Sequence, residues 1–79
     1  MNKLKLKEAT QEYVVYLYSP EGKDGWGEIR VNIGSDDAAV ISRSGNDNSE
    51  GYYAFKAAKA VKKCVAERNF PLEFTQAWY

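Results

Sequence analysis

The sequence predicts an α+β fold, written βββαβ, with a three-stranded antiparallel meander, one long helix packed on one sheet face and a C-terminal strand. Three observations lead to this prediction. Three β-branched or aromatic stretches lie between turn-forming segments in residues 13–43, an Ala/Lys-rich stretch spans about 51–68, and an alternating apolar stretch follows Pro71. With 79 residues, the chain is expected to form a single domain, 1–79.

The first predicted strand covers residues 13–18, which are β-branched or aromatic throughout apart from one leucine. Alternation places Val14, Tyr16 and Tyr18 on one face of it. Residues 26–33 form the clearest half-buried strand, and residues 38–43 form the third. Residues 3–7 alternate lysine with leucine and are compatible with a short additional strand.

The glycines in residues 22–27 precede a strand rather than a helix, so they indicate a hairpin and not a phosphate-binding loop.

The predicted helix begins near Asp47 and Glu50, which have capping-box spacing. It ends near residue 68, where Asn69 is suited to a left-handed conformation and Pro71 prevents continuation. When successive residues are placed about 100° apart on a helical wheel, the small and apolar side chains gather on one side. We expect this side to face the sheet. These residues are Tyr53, Ala54, Ala57, Ala58, Ala60, Val61, Cys64 and Val65. After Pro71, alternation of Leu72, Phe74 and Trp78 with polar residues predicts the C-terminal strand.

The segment from Trp26 resembles a known family. It contains a strand, a polar turn and a second strand, and Glu50-Gly51-Tyr52 then opens an Ala/Lys helix. This arrangement is similar to the βββα unit of the small bacterial YegP-like family and covers about half of the chain. Members often carry two such units and have no assigned activity, so the resemblance implies a compact module able to pair with another, and no chemistry. Double-stranded-RNA-binding domains share the strand-then-helix order, but the chain lacks their leading helix.

The residue inventory argues against catalysis and predicts neither a cofactor nor a metal. The chain has one cysteine, Cys64, and no histidine to act as its base, so we expect a buried and unreactive thiol. Asp36 and Asp37 are adjacent carboxylates, which are typical of a solvated turn. Residues 46–50 are rich in oxygen ligands, but their order does not match a calcium-binding EF-hand loop, and helix capping is the favoured role.

The net charge of zero conceals segments of different sign. Residues 1–11 carry three lysines and one glutamate, residues 12–50 carry three cations and eight carboxylates, and residues 51–79 carry five cations and two carboxylates. Such segregation can orient a partner or a second copy of the chain, but it selects no ligand. With no apolar leader or membrane span in the sequence, we expect a cytoplasmic protein of bacterial or phage-like character.

The favoured function is non-enzymatic protein–protein association, with a homodimer as one form. Two surfaces are predicted to bind the partner: a sheet face left uncovered by the single helix, and the exposed basic side of the helix. Their residues are Tyr16, Tyr18 and Arg30 on the sheet, and Tyr52, Phe55, Lys59 and Lys63 on the helix. The alternative is nucleic-acid binding by either surface, although such domains normally have a basic excess.

Overall fold

A computed structural model describes residues 1–35 and 37–78 of the chain as one five-stranded antiparallel sheet with a single helix on one face. The elements in chain order are β1 (Asn2–Ala9), β2 (Tyr13–Pro20), β3 (Gly27–Asn32), β4 (Ala38–Ser42), α1 (Tyr52–Glu67) and β5 (Glu73–Gln76). The spatial order of the strands is β4-β3-β2-β1-β5. The α+β class and the helix on one sheet face are confirmed, but the three-strand meander is wrong because four strands precede the helix.

The additional strand, β1, lies inside the sheet rather than at its edge. Leu4 pairs with Tyr18 of β2 on one side and with Phe74 of β5 on the other. Leu4 is fully buried, whereas the flanking lysines are exposed on the opposite face. The alternation of leucine and lysine therefore suits an interior strand with one dry face and one solvated face.

The expected exposed tyrosine face is the core of the molecule. The β2–β3 register pairs Tyr16 with Ile29 and Val14 with Val31, so these side chains share the face that carries the helix. Tyr16 and Tyr18 are fully buried there. Arg30 pairs with Val15 and lies on the opposite face, so the predicted grouping of Arg30 with the two tyrosines is wrong. The prediction failed because β2 is apolar on both faces, and its alternation alone does not identify the core side.

The helix packs on the sheet through the predicted side. The fully or nearly buried helix residues are Ala54, Ala57, Val61, Cys64 and Val65, and Tyr53, Ala58 and Ala60 are partly buried beside them. Alanine and lysine also favour the helical conformation intrinsically. Because alanines occupy much of the helix side of the contact, the largest buried side chains of the core come from the sheet.

The start of the helix is capped by residues of the preceding loop. The helix begins at Tyr52, and both Asp47 carboxylate oxygens accept main-chain hydrogen bonds, from Tyr53 at 2.9 Å and Ala54 at 3.0 Å. Capping by Asp47 is confirmed, but the capping box with Glu50 is wrong. The loop carries Asp47 back over the helix end, whereas a capping box needs this residue directly before the first turn.

At the other helix end, Arg68 and not Asn69 adopts the left-handed conformation, with φ of 54°. The Asn69 amide donates to the Cys64 carbonyl at 3.0 Å, which satisfies one of the free carbonyls of the last turn. The C-terminal strand is confirmed as β5. Trp78 lies beyond this strand, and Asp36 of the predicted turn and Tyr79 fall outside the described residues.

Candidate functional site

The two tyrosines predicted to bind a partner anchor loops from inside the core. The Tyr16 hydroxyl donates to the Pro71 carbonyl at 2.7 Å. The Tyr18 hydroxyl donates to Asp47 at 2.9 Å and accepts the Ser44 amide at 3.0 Å. Burial raises the pKa of each phenol to about 12. Their contacts are structural, and they form no accessible surface.

The sheet face opposite the helix combines charged residues with the second apolar face of β2, and several of its polar groups contact one another. The Arg30 guanidinium lies 4.0 Å from the centre of the Tyr13 ring. The Tyr13 hydroxyl donates to Glu8 at 3.1 Å, and this bond is the main cause of the raised pKa of Tyr13. Lys7 and Glu28 form an ion pair at 2.5 Å. The apolar side chains that β2 places on this face are largely covered, since Val15 is 7% exposed and Leu17 is only partly exposed.

The predicted helix residues lie on the solvent side of α1. Phe55 is 60% exposed, with the Lys59 ammonium 5.5 Å from its ring centre. Tyr52 is also exposed and stacks edge-on with Trp78 at a centroid distance of 5.8 Å. Lys63 lies nearer to the β5 side of the helix, where it lines a different groove from Phe55.

The outer edge of β4 is accessible along its whole length. All five residues are exposed, and Val40 and Ile41 retain 47% and 54% of their surface. In the part of the chain that the structure describes, no strand pairs with the outer side of β4. β4 contains neither proline nor a charged residue, although such residues commonly protect sheet edges.

The register of β4 shows which main-chain groups are free. The Asn32 amide donates to the Asp37 carbonyl at 2.9 Å, and the Arg30–Ala39 pair follows two residues further along. Hydrogen-bonded and non-hydrogen-bonded pairs alternate along an antiparallel ladder. The amides and carbonyls of Ala38 and Val40 therefore point away from β3, toward the free edge.

A groove of about 420 Å³ runs beside this edge, between β4 and α1. Its walls are largely apolar because small residues leave space between the strand and the helix. The apolar lining consists of Ala38, Val40, Ala54, Phe55 and Ala58. Gly51 and four charged residues form the remainder, the charged residues being Arg43, Glu50, Lys59 and Lys62. We refer to the free edge of β4 together with these lining residues as the β4 groove.

Arg43 is held in place at one end of the β4 groove. Its guanidinium donates to the Asn48 carbonyl and lies against Gly51, at 3.6 Å from the position that a Cβ would take there. Gly51 has φ of 72°, a left-handed conformation that favours glycine. The same backbone turn therefore starts the helix and orients a cation at the groove.

A second groove, of about 590 Å³, lies on the other side of the helix beside β5. Its lining includes Lys63, Cys64 and Phe74. Cys64 is only 8% exposed, as predicted, and burial together with the nearby Glu67 raises the pKa of its thiol. The sequence contains no histidine that could activate it.

The binding residues predicted from the sequence include Phe55 and Lys59 of the β4 groove but not Ala38, Val40, Arg43 or Lys62. The available signal was an uncharged stretch, residues 38–42, between Asp37 and Arg43. Its exposure as an edge depends on the strand order, which local patterns do not give.

Comparison of the chain with family models, with curated proteins and with solved structures found no match. The YegP-like resemblance stays a prediction. Within residues 1–35 and 37–78, no helix is long and apolar enough to cross a membrane.

Proposed function

We propose that the protein is a non-enzymatic protein-binding module that takes an extended polypeptide segment as an additional strand beside β4. The observation that carries this proposal is the coincidence of a free strand edge with an apolar groove. Strand addition needs both features, since main-chain hydrogen bonds supply affinity and adjacent pockets select side chains.

The main chain of β4 has the required polarity and spacing. Ala38 and Val40 each direct an amide and a carbonyl to the free edge, so an incoming strand can exchange hydrogen bonds with two residues of β4. The side chains of the same two residues line the groove. Side chains of the incoming strand that face the helix therefore enter the space between Val40 and Phe55.

The dimensions of the β4 groove agree with side-chain binding. Its 420 Å³ lies within the range of about 300–1,000 Å³ that is typical of ligand pockets. A bulge at Ile41, where Glu28 pairs with Ser42 and Ile29 with Val40, ends the regular part of the strand. Bulges also limit edge pairing, so the accessible ladder is short and favours a peptide segment over a long sheet.

The experiment is selection of random displayed peptides on immobilised protein, followed by anisotropy titration of the selected peptides. Val40→Pro removes an amide that points to the free edge but leaves the β3 ladder intact. Thr75→Pro is the matched control at the opposite edge, because the Leu6–Leu72 hydrogen bond of 2.8 Å sets a register in which the Thr75 amide also points outward. We expect Val40→Pro to weaken binding at least about tenfold and Thr75→Pro to leave it unchanged.

Phe55→Ala provides a second variant that does not alter the backbone. Phe55 is mostly exposed, so its truncation leaves the core intact while removing one wall of the β4 groove. Several-fold weaker binding is expected. The absence of any selected peptide, or equal binding by wild type and Val40→Pro with native circular dichroism in both, contradicts the proposal.

A second candidate function is nucleic-acid binding by the outer side of α1. The observation that favours it is the placement of lysines over aromatic rings. The Lys56 ammonium lies 5.5 Å from the ring centre of Tyr52 and 5.6 Å from that of Trp78. Lysines and exposed rings together can hold a single strand. Its test is anisotropy of a labelled oligonucleotide, where affinity must fall steeply with salt and Lys56→Gln must reduce that slope.

A further inference from the structure

We infer that the segment bound in the β4 groove is acidic, with apolar side chains alternating with glutamate or aspartate, and that it is supplied by another protein and not by a second copy of this chain. This inference rests on the proposed function and specifies the partner. It follows from the charges around the groove.

Three cations, Arg43, Lys59 and Lys62, line the β4 groove against one carboxylate, Glu50. None of the three forms an ion pair with a carboxylate of the described residues. Arg43 is bonded to a carbonyl, and Lys59 lies over Phe55, so their charges remain available to a ligand. The excess of positive charge favours carboxylates on the incoming strand.

The apolar residues of the β4 groove determine where apolar side chains of the bound segment would lie. Ala38 and Val40 are two residues apart, and their side chains share the face that the helix covers. In an added strand, every second residue faces the same side. Apolar residues at these positions would contact Val40 and Phe55, and acidic residues at the flanking helix-facing positions would reach Lys59, Lys62 or Arg43.

A second copy fits this site poorly. Antiparallel pairing of two β4 strands about a two-fold axis places both helices on the same face of the joined sheet. The three groove cations of each copy would then lie on either side of the shared groove, where Glu50 is the one carboxylate among the lining residues of each copy. Like charges placed together across an interface cost free energy, so an acidic strand is the better occupant.

The test repeats the peptide selection with a charge-reversed groove. Lys59→Glu/Lys62→Glu inverts the charge of the groove wall, and Lys56→Glu/Lys63→Glu is the matched control on the same helix outside the β4 groove. We expect acidic, apolar-alternating peptides on wild type and on the control. On the reversed groove, these peptides should lose about tenfold in affinity and basic peptides should be selected instead.

The outcomes separate the inference from the proposed function. Peptides that depend on Val40 but carry no acidic excess, and bind the charge-reversed variant equally, overturn the inference and leave strand addition standing. A dimer in light scattering that Val40→Pro dissociates also overturns it, because the second copy is then the occupant. Failure of every peptide to depend on Val40 overturns both.

Discussion

The two edges of the sheet flank the same helix but differ in how they are closed. The β5 edge is four residues long, begins after Pro71 and contains a charged Glu73. The side-chain amide of Gln76 in β5 donates to the Lys56 carbonyl of the helix at 2.8 Å, which ties this edge to α1. At the opposite edge, β4 has neither a protecting proline nor a charge within the strand. The difference indicates that β5 is tied to the helix, whereas the outer edge of β4 is left exposed.

Each edge is held by one buried tyrosine of the same strand. Tyr16 of β2 bonds to Pro71, directly before β5. Tyr18, two residues later, bonds to Ser44 and Asp47 in the loop after β4. The core therefore positions the two edges through separate hydroxyl groups, and the comparison of the edges can be tested by disturbing one anchor at a time.

Alkaline pH should produce the largest effect because it acts on both anchors at once. The folded state holds the pKa of Tyr16 and Tyr18 at about 12, above the unfolded value of 10.0. Their contribution is fully present below pH 10 and is lost as the pH rises through about 12, since the unfolded chain releases these protons first. The expected loss of unfolding free energy is on the order of 5 kcal/mol.

Urea denaturation from pH 9 to 12 measures this loss, and absorbance at the tyrosinate band follows ionisation. At least two of the six tyrosines, Tyr16 and Tyr18, should ionise late while the protein is folded. The Tyr16→Phe/Tyr18→Phe variant serves as the control and should have a flatter pH dependence. Ionisation of all tyrosines near pH 10 with native circular dichroism retained would contradict the prediction.

Gly27→Ala should cause the next largest loss, on the β4 side alone. A Cβ at Gly27 would lie 2.2 Å from Cε1 of Tyr18 and 2.7 Å from the Ser44 amide nitrogen, so both the anchor and the backbone must move. Overpacking of this kind costs about 3 kcal/mol. Gly45→Ala is the control, because nothing lies within 4 Å of its added methyl group.

Chemical denaturation of the two alanine variants decides the point. A midpoint for Gly27→Ala as close to wild type as that of Gly45→Ala would show that the Tyr18 ring can move freely. In that case the β4 side would be no more tightly anchored than an exposed loop.

Local patterns in the sequence were sufficient for the elements but not for their arrangement. The spacing of Ala54, Val61 and Val65 identified the buried side of the helix, because an amphipathic helix has one apolar stripe that faces the core. The alternation in β2 did not identify its buried face, since both faces are apolar and the answer depends on the pairing with Ile29. The β4 groove was missed for a related reason. Residues 38–42 form an edge because β1 and β5 both lie on the β2 side of the sheet and neither pairs with β4, a long-range arrangement that short sequence patterns do not record.

The smallest effects come from removing one hydroxyl at a time, and these test whether the edges are held unequally. Tyr18→Phe leaves the Ser44 amide without its acceptor at a buried position and removes a hydrogen bond to Asp47. We therefore expect a loss of about 2–3 kcal/mol in the free energy of unfolding. Tyr16→Phe removes a single hydrogen bond to the carbonyl of Pro71, a residue that is only half-buried. We therefore expect a loss of about 1 kcal/mol in the free energy of unfolding.

Hydrogen exchange gives the location of each effect. Tyr18→Phe should speed exchange at the helix start, where Asp47 accepts the amides of Tyr53 and Ala54, and should leave β5 protected. Tyr16→Phe should do the reverse, with faster exchange at the Phe74 amide, which pairs with β1. If both variants lose the same free energy of unfolding and show the same hydrogen-exchange pattern, the two tyrosine anchors act as one unit. The β4 groove would then depend on the whole core, and the proposed partner binding by β4 would be coupled to the stability of the β5 edge.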